Sequence, residues 1–524
     1  HSPPKADAPL AQSFDIVSDF DIRISDFPLR ASCFSVLDSY RMLKLYDSFT
    51  KEKQAFKPRR GRTVTMYNCG PTVYDFVHIG NLRYFIFTDV LRRYLEYSGY
   101  RVKQVMNITD VGHTTTDGEG GEDKVEAAAR KRAVSPKQIT EEYTKAFFAD
   151  LRSLGVKRAW KYPRATRHVR DMLTLIAKLI QRGHAYVVSG SVYYDLDTFP
   201  KYGMLSGNKV SDLIPGARVE VIAEKRHPYD FALWIRNPAH LMQWSAPWGK
   251  GYPGWHIECS AMAMRYLGAT LDIHTGGEDN KFPHHECEIA QSEGATGKQF
   301  ARYWLHVAHL LVDGEKMSKS KGNYYILAEL LKRGFSAKGG SASGGEPRAV
   351  RYLLISAHYR DALNFTFDSL AAAAGALRRL DEFWAALRDA RSGRDMQSGL
   401  RRLVQETREE FVQAMDDDLN TPKALGLLFT FVRNANPLLR TGVAASELKE
   451  AQRLVADTAR VFGLTLRTPR ASAVPAEVKK LLAEREDARA ASDWAHADAI
   501  RKEIEVFGYT VEDTPEGQKV KRKA

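Results

Sequence analysis

Two short stretches carry residue types suited to handling phosphate. The first is Cys69-Gly70-Pro71-Thr72-Val73-Tyr74-Asp75-Phe76-Val77-His78-Ile79-Gly80-Asn81, which follows the apolar run Thr63-Val64-Thr65-Met66-Tyr67 and leads into a long amphipathic segment. That order predicts a strand, a loop and a helix N-terminus. A helix start offers unpaired backbone N–H groups and a partial positive charge, so a phosphate is its natural occupant. His78 could donate to a phosphate oxygen as charge develops there, and Gly80 could let the ligand approach the backbone. Taken alone, the pattern is ordinary in α/β proteins. The second stretch is Lys316-Met317-Ser318-Lys319-Ser320-Lys321-Gly322-Asn323, after the apolar run Leu310-Leu311-Val312 and the turn Asp313-Gly314-Glu315. Its lysines supply point charges, its serines and backbone supply donors, and a loop can close over a leaving group. A solvated basic loop is the plain alternative.

Other candidates lie where strands should end. Thr109 follows the predicted strand Arg101-Val102-Lys103-Gln104-Val105-Met106, and Gly276, Gly277 and Asp279 follow Leu271-Asp272-Ile273-His274. An acid after a strand-end glycine pair can accept from ribose hydroxyls or cap the next helix. Cys69, Cys259, His284 and Glu288 also stand at predicted strand ends or helix starts. Cysteine and histidine are zinc donors, and a carboxylate can complete the shell. His284 and Glu288, at i and i+4, share one face of a predicted helix. Cys287, at i+3 from His284, shares it too, and on spacing alone its sulfur is slightly favoured. For any one of these residues burial in a core is the ordinary fate.

The elements that must position them alternate strand and helix, which predicts a doubly wound parallel sheet with ligands at the carboxyl ends of its strands. A chain of 524 residues suggests three or four domains. Residues 1–41 show no lasting period and too many acids for a transit peptide, and are expected to lie outside the folded body, partly disordered. A catalytic α/β domain is expected over 42–335, with an insertion at about 115–240. Within that insertion Ser135-Pro136 starts a helix carrying Ile139, Tyr143, Phe147, Leu151 and Leu154, a second helix carries Val169, Leu173, Ile176 and Ile180, and short strands lie near 186–188 and 191–194. The acidic loop 117–123 reads as solvated, and 336–345 as a flexible linker. A helical bundle is expected over 347–465 and a small charged unit over 473–524. No apolar run approaches the ~20 residues of a membrane helix. The net charge of +13 favours a polyanionic partner. Four scattered cysteines are too few for a disulfide framework and suit a reducing compartment.

His-Ile-Gly-Asn at 78–81 and Lys-Met-Ser-Lys-Ser at 316–320 together resemble the two signatures of class I aminoacyl-tRNA synthetases. Trp255-His256-Ile257-Glu258-Cys259-Ser260-Ala261-Met262 and Phe282-Pro283-His284-His285-Glu286 narrow the resemblance to the cysteinyl-tRNA synthetase family, from about Met42 to the C-terminus. The resemblance implies a cytoplasmic, monomeric enzyme that activates L-cysteine with ATP and Mg2+ and transfers it to tRNA(Cys). It implies a Rossmann-like catalytic domain with a connective insertion, a helical bundle contacting the tRNA stem, and a C-terminal anticodon-binding domain. Catalysis would fall to His78, Lys316 and Lys319. ATP would be met by His78, Gly80, Asn81, Gly276, Gly277, Asp279, Lys316, Met317, Ser318, Lys319 and Ser320, and cysteine by Thr109 and Trp255. Arg489, Trp494, Asp498 and Asp513 would read the anticodon. One Zn2+ per chain would be held by Cys69, Cys259, His284 and Glu288. A set with Cys287 in place of Glu288 would be the closed kind typical of structural zinc, with no natural position for a substrate thiolate. A zinc–thiolate bond separates cysteine from serine by ligand chemistry, whereas side-chain size gives only about 10–200-fold per methylene. Asn81 stands where the motif has histidine, and Val520 where the family pattern often has tryptophan. A mycothiol-pathway type of cysteine ligase and a non-catalytic tRNA-binding paralogue are the alternatives. The first lacks an anticodon domain, and the second should have lost signature residues.

Overall fold

The computed structural model describes residues 42–112, 121–208, 224–333, 345–393, 399–468, 475–514 and 517–522. The leader 1–41, most of the acidic loop, the linker up to 344 and the join at 469–474 lie outside the described residues.

Four strands make the central sheet: β1 (Thr63–Asn68), β2 (Arg101–Met106), β3 (Leu271–Gly277) and β4 (Ala301–Val307). Their spatial order is β4-β3-β1-β2, all parallel, with Thr63 opposite Arg101 and Ile273 opposite Met66. The chain therefore starts in the middle and winds outward both ways, and the direction of winding reverses between β1 and β3. Such a reversal opens a crevice at the strand ends. Helix α1 (Ile79–Tyr97) covers one face, while α2 (Trp255–Leu267) and α3 (His284–Thr296) cover the other. Both faces are covered, so the polar residues inside the strands are paired: Asp272 of β3 accepts from Thr65 N and Thr65 Oγ1 of β1 at 2.8 and 2.7 Å.

The insertion holds helices Lys124–Arg132, Pro136–Ser153 and Val169–Gln181 and a five-stranded antiparallel sheet. That sheet takes in Trp244–Ala246 and Gly249–Pro253, so the insertion runs past residue 240 almost to α2. Ser135 and Gln138 form the capping box of the second helix. In the third, the buried face is Val169, Met172, Leu175, Ile176 and Leu179, whereas Leu173 and Ile180 lie only partly covered. Helices Phe367–Asp389, Leu400–Asp416, Thr421–Thr441 and Ala445–Phe462 follow. Helices Ala476–Ala490 and Trp494–Val506 with a hairpin of Tyr509–Thr514 and Gly517–Arg522 complete the described chain. Among the described residues no helix is long and apolar enough to cross a membrane.

A buried ion cluster joins α1 to the helical region. Asp89 on α1 pairs with Arg93 at 2.7 Å and with Arg351 at 2.5 Å. Arg351 also donates to the carbonyls of Phe462 at 2.6 Å and Leu154 at 3.0 Å. Burial works against the Asp89 charge, but Arg351 and Arg93 outweigh it and hold the carboxyl below its ordinary range. Asp89→Asn would leave Arg351 buried without its counter-ion, a loss of about 3–5 kcal/mol. Urea unfolding should show that loss, with an unchanged slope.

Candidate functional site

Helix α1 starts in the crevice, and its cap is His78. The His78 Nδ1 accepts from Gly80 N at 3.1 Å and Asn81 N at 3.3 Å, while Asn81 Oδ1 accepts from His78 N at 3.4 Å. Ile79 N donates to Tyr325 O and Leu82 N to His78 O, each at 3.0 Å. Thus the first four N–H groups of α1 are all engaged within the protein. The backbone donors that the sequence seemed to offer a phosphate are spent on the cap, which leaves the helix dipole and the proton on His78 Nε2. Burial first, with help from Lys319 and against Asp279, brings His78 down to about 4, so its imidazole is neutral at pH 7. Asn81 needs no imidazole here because its amide closes the capping box.

The lysine stretch forms a loop docked on that helix start. Leu310–Val312 pairs antiparallel with Glu315–Lys316 through the turn at Asp313 and Gly314. The chain then crosses α1, and a Cβ at Gly80 would come within 2.8 Å of Met317 Cε. Glycine at 80 leaves room for the Met317 methyl to rest on the helix start. Lys319 reaches Asp75 and lies 5.1 Å over the Tyr324 ring. Ser318 Oγ and Ser320 Oγ are 2.6 Å apart, and Ser318 N donates to Asn323 Oδ1 at 2.8 Å. Lys316 is exposed. Across the crevice, Asp279 is exposed with its carboxylate folded over Gly277, and its charge faces His78. At Gly276 the space for a Cβ is taken by His285 Cε1 at 2.5 Å, so this glycine makes room for a histidine on that side.

Behind the glycines, β1, α2 and α3 bring Cys69, Cys259, His284 and Glu288 together, with one ligand atom of each within 4.8 Å of the others. All four are buried. Cys69 Sγ lies 3.7 Å from Glu288 Oε1, and His284 Nε2 lies 3.0 Å from the same oxygen. The ligand atoms of a second grouping, Cys69, His274, His285 and Glu288, also lie within 4.8 Å of one another. In the first grouping the remaining polar atoms are held from outside. His256 Nδ1 sits 2.8 Å from His284 Nδ1, and His274 Nε2 sits 2.8 Å from Glu288 Oε2. Outer partners of this kind are what metal ligands carry. Burial opposes a Cys259 thiolate, but the Cys69 hydrogen bond and His284 outweigh it and bring the thiol down to about 6. Glu288 falls to about 2, burial being overcome by His274 and His284. Two thiols, an imidazole and an ionised carboxylate form a donor set compatible with a metal. Cys287 points elsewhere, its sulfur 3.4 Å from the Tyr202 hydroxyl among apolar residues.

Thr109 is buried and donates to Glu258 Oε2 at 3.0 Å. Trp255, at the start of α2, stacks on His284 with ring centres 4.4 Å apart. The sequence reading passed over the half-buried His256 and the buried His274, His285 and His306, which form one group with the ligand candidates. His285 Nδ1 meets His306 Nε2 at 2.8 Å, and His306 Nδ1 meets Ser48 Oγ at 2.8 Å. Their signal was composition: all five imidazoles of this group, His284 included, come from residues 256–306.

In the C-terminal unit Arg489 pairs with Asp513 at 2.8 Å and lies 5.6 Å over the ring of Trp494. Trp494 is 59% exposed, and Asp498 is exposed one turn further along its helix. Arg485, also passed over, is buried and grips both Asp513 oxygens at 2.9 and 3.0 Å. Val520 packs on the apolar core of this unit.

Residues 55–375 match the family model for the class I (C) tRNA synthetase catalytic domain, 410–467 the DALR domain, and 471–520 the cysteinyl-tRNA ligase anticodon binding domain. A cysteine–tRNA ligase of Caldicellulosiruptor saccharolyticus is 42% identical over 92% of this chain and all of its own length. One from Symbiobacterium thermophilum is 44% identical over 92% of this chain and 99% of its own. Among solved structures, a Mycobacterium tuberculosis methionyl-tRNA synthetase in complex with methionyl-adenylate superposes with a TM-score of 0.53. It covers 77% of this chain and 90% of that one at 13% identity, which is a likeness of fold.

The cap and the donor of His78 can be separated. His78→Ala should lose about 0.5–2 kcal/mol of stability, whereas His78→Asn, which keeps a capping oxygen, should lose little. Chemical denaturation of the two variants checks this.

Proposed function

The chain belongs to the cysteine–tRNA ligase family of class I aminoacyl-tRNA synthetases, and from that premise we propose that it joins L-cysteine to tRNA(Cys) in two steps. Cysteine and ATP, the latter as its magnesium complex, give cysteinyl-adenylate and pyrophosphate, and the cysteinyl group then passes to the terminal ribose of the tRNA. The observation that carries this reading is the meeting, at one end of one parallel sheet, of the His78 helix start, the docked Lys319 loop and the buried Cys69–Cys259–His284–Glu288 cluster. A small-molecule cysteine ligase would lack the unit over 471–520 that matches an anticodon binding domain.

Cysteine's own carboxylate is the nucleophile at the α-phosphate, so the protein's task is positioning and charge stabilisation. His78, neutral and with Nδ1 committed to the cap, offers Nε2–H to the α-phosphate oxygen. The α1 dipole acts in the same direction. Lys316 and Lys319 meet the departing pyrophosphate. Asp279, beside the strand-end glycines, faces the ribose. Thr109 and Trp255 border the amino acid, and Trp255 holds the His284 ring in plane. The residues fit zinc: Cys69, Cys259, His284 and Glu288 would hold it, oriented by His256 and His274. When bound, zinc supplies an acceptor for a thiolate that a serine hydroxyl cannot match. In the C-terminal unit Trp494 offers a stacking face to an anticodon base, and Arg489 its charge.

Cysteine-dependent ATP–pyrophosphate exchange in the absence of tRNA, followed by cysteinylation of tRNA(Cys), tests the reading. Exchange with cysteine and not serine is expected, and exchange driven by another amino acid would overturn it. His78→Asn should fold normally yet lose about 10²–10³ in kcat for exchange. Cobalt-substituted protein tests the ligand set, because thiolate charge-transfer intensity counts sulfur ligands. Cys287→Ser should leave the cysteine-free spectrum unchanged, and loss of one thiolate's absorption would assign Cys287 to the metal.

A further inference from the structure

Lys319 is not held ready in open solvent. Its ammonium meets Asp75 Oδ2, and the other oxygen of Asp75 accepts from Phe76 N at 2.8 Å. The ring of Tyr324 lies beneath the ammonium, its hydroxyl donates to Phe76 O at 3.1 Å, and its edge meets the His78 ring at 5.1 Å. The lysine loop is thus fastened by a charge pair to the very loop that delivers His78. The pair is half-open to water, the Lys319 side chain being 62% and that of Asp75 28% exposed. Exposed pairs of this kind are weak and exchangeable. A triphosphate, carrying several negative charges, can displace one carboxylate, and the carboxylate left behind repels it.

Resting on the synthetase reading above, we propose that Asp75 is a positioning residue. It parks Lys319 at the mouth of the site, with Met317 down on Gly80, and yields it to the β- and γ-phosphates of ATP. Asp75 touches no reacting atom, and it acts only through Lys319. Its loss removes a competitor for the ammonium, which tightens ATP binding equally in the ground and transition states, so KM falls while kcat stays as it was.

Five proteins test this: wild type, Asp75→Asn, Asp75→Glu, Lys319→Ala and the Asp75→Asn, Lys319→Ala double variant, each checked for an unchanged thermal midpoint. In cysteine-dependent exchange, Asp75→Asn should lower the KM for ATP about twofold to fivefold without raising kcat. Lys319→Ala should depress kcat far more than it alters the KM for cysteine. In the Lys319→Ala background the Asp75 substitution should no longer change the KM for ATP, and Asp75→Glu should restore wild-type behaviour. A raised KM for ATP in Asp75→Asn would show that the carboxylate serves ATP or its magnesium, and would overturn the proposal. An equal effect with and without Lys319 would reduce Asp75 to through-space repulsion and overturn it too. The same proteins titrated calorimetrically with ATP alone carry the test independently of the amino acid. Failure of wild-type exchange with cysteine therefore sinks the functional reading, and failure of the cycle sinks the role of Asp75.

Discussion

Parallel pairing of β1 with β3 is the constraint on which the site depends. Because the two strands are neighbours yet 202 residues lie between the last of β1, Asn68, and the first of β3, Leu271, the chain leaving one need not follow the chain leaving the other. β1 sends its chain to α1 on one face, and β3 sends its chain to α3 on the opposite face. The gap between them admits the Cys69 loop, the Gly276–Gly277 pair and the start of α3, and so places a polar end beside a buried sulfur and imidazole cluster. No local signal in either strand specifies this. It is a property of the order in which the strands were laid down.

Burying four histidines, two thiols and a carboxylate behind such a crevice, with a fifth histidine half-buried beside them, would be costly if any were left alone. The cluster avoids most of that cost by division of labour. Burial pushes His256, His285 and His306 well below their ordinary values, so these rings are neutral hydrogen-bonding spacers. Charge is concentrated on the Cys259, His284 and Glu288 group, where His284 rises to about 10 because Cys259 and Glu288 outweigh its burial. The neutral rings fix how the charged groups point. A cluster in which most members serve to aim a few is an arrangement suited to a metal, and it explains why so many imidazoles lie around so few ligand positions.

The sequence was most readable where chemistry and spacing coincide. His78 before a helix, lysines on a turn, and the i and i+4 spacing of His284 and Glu288 each carry local information, and the structure brings these segments to one crevice. Readings that depended on who uses a hydrogen bond were out of reach. Whether the N–H groups of α1 were available to a ligand depended on Tyr325, more than two hundred residues away, and on the His78 tautomer. His274 and His306 lie inside buried strands, where position marks them only as core. In the helix Val169–Gln181, apolar residues are frequent enough to fit two offset faces, and packing alone selected Met172 over Leu173. Arg485 looks like one more charge on a solvated helix until the hairpin folds back over it.

The docked lysine loop also shows how distant parts share one geometry. The strand Leu310–Val312, from which the loop springs, pairs in parallel with Leu363–Phe365, and that segment leads directly into the helix Phe367–Asp389. The loop is therefore anchored to the helical region, while the His78 end of its contact belongs to α1. What keeps those two bodies in register is the charge cluster of Asp89, Arg93 and Arg351, supplemented by Arg83 on α1. Arg83 donates to the carbonyls of Ala308 and His309 on the loop side at 2.8 and 3.0 Å, and to His358 at 2.9 Å. A guanidinium that binds backbone carbonyls from both segments fixes their separation more firmly than apolar contact could, because its donors point in set directions. Buried arginines that touch neither Lys319 nor His78 thus add to the direct contacts, Lys319 with Asp75 and Tyr324 with Phe76, that hold the two segments together. A change in how the helical region packs on α1 must appear at the His78 end of the crevice as a change in where the loop can reach.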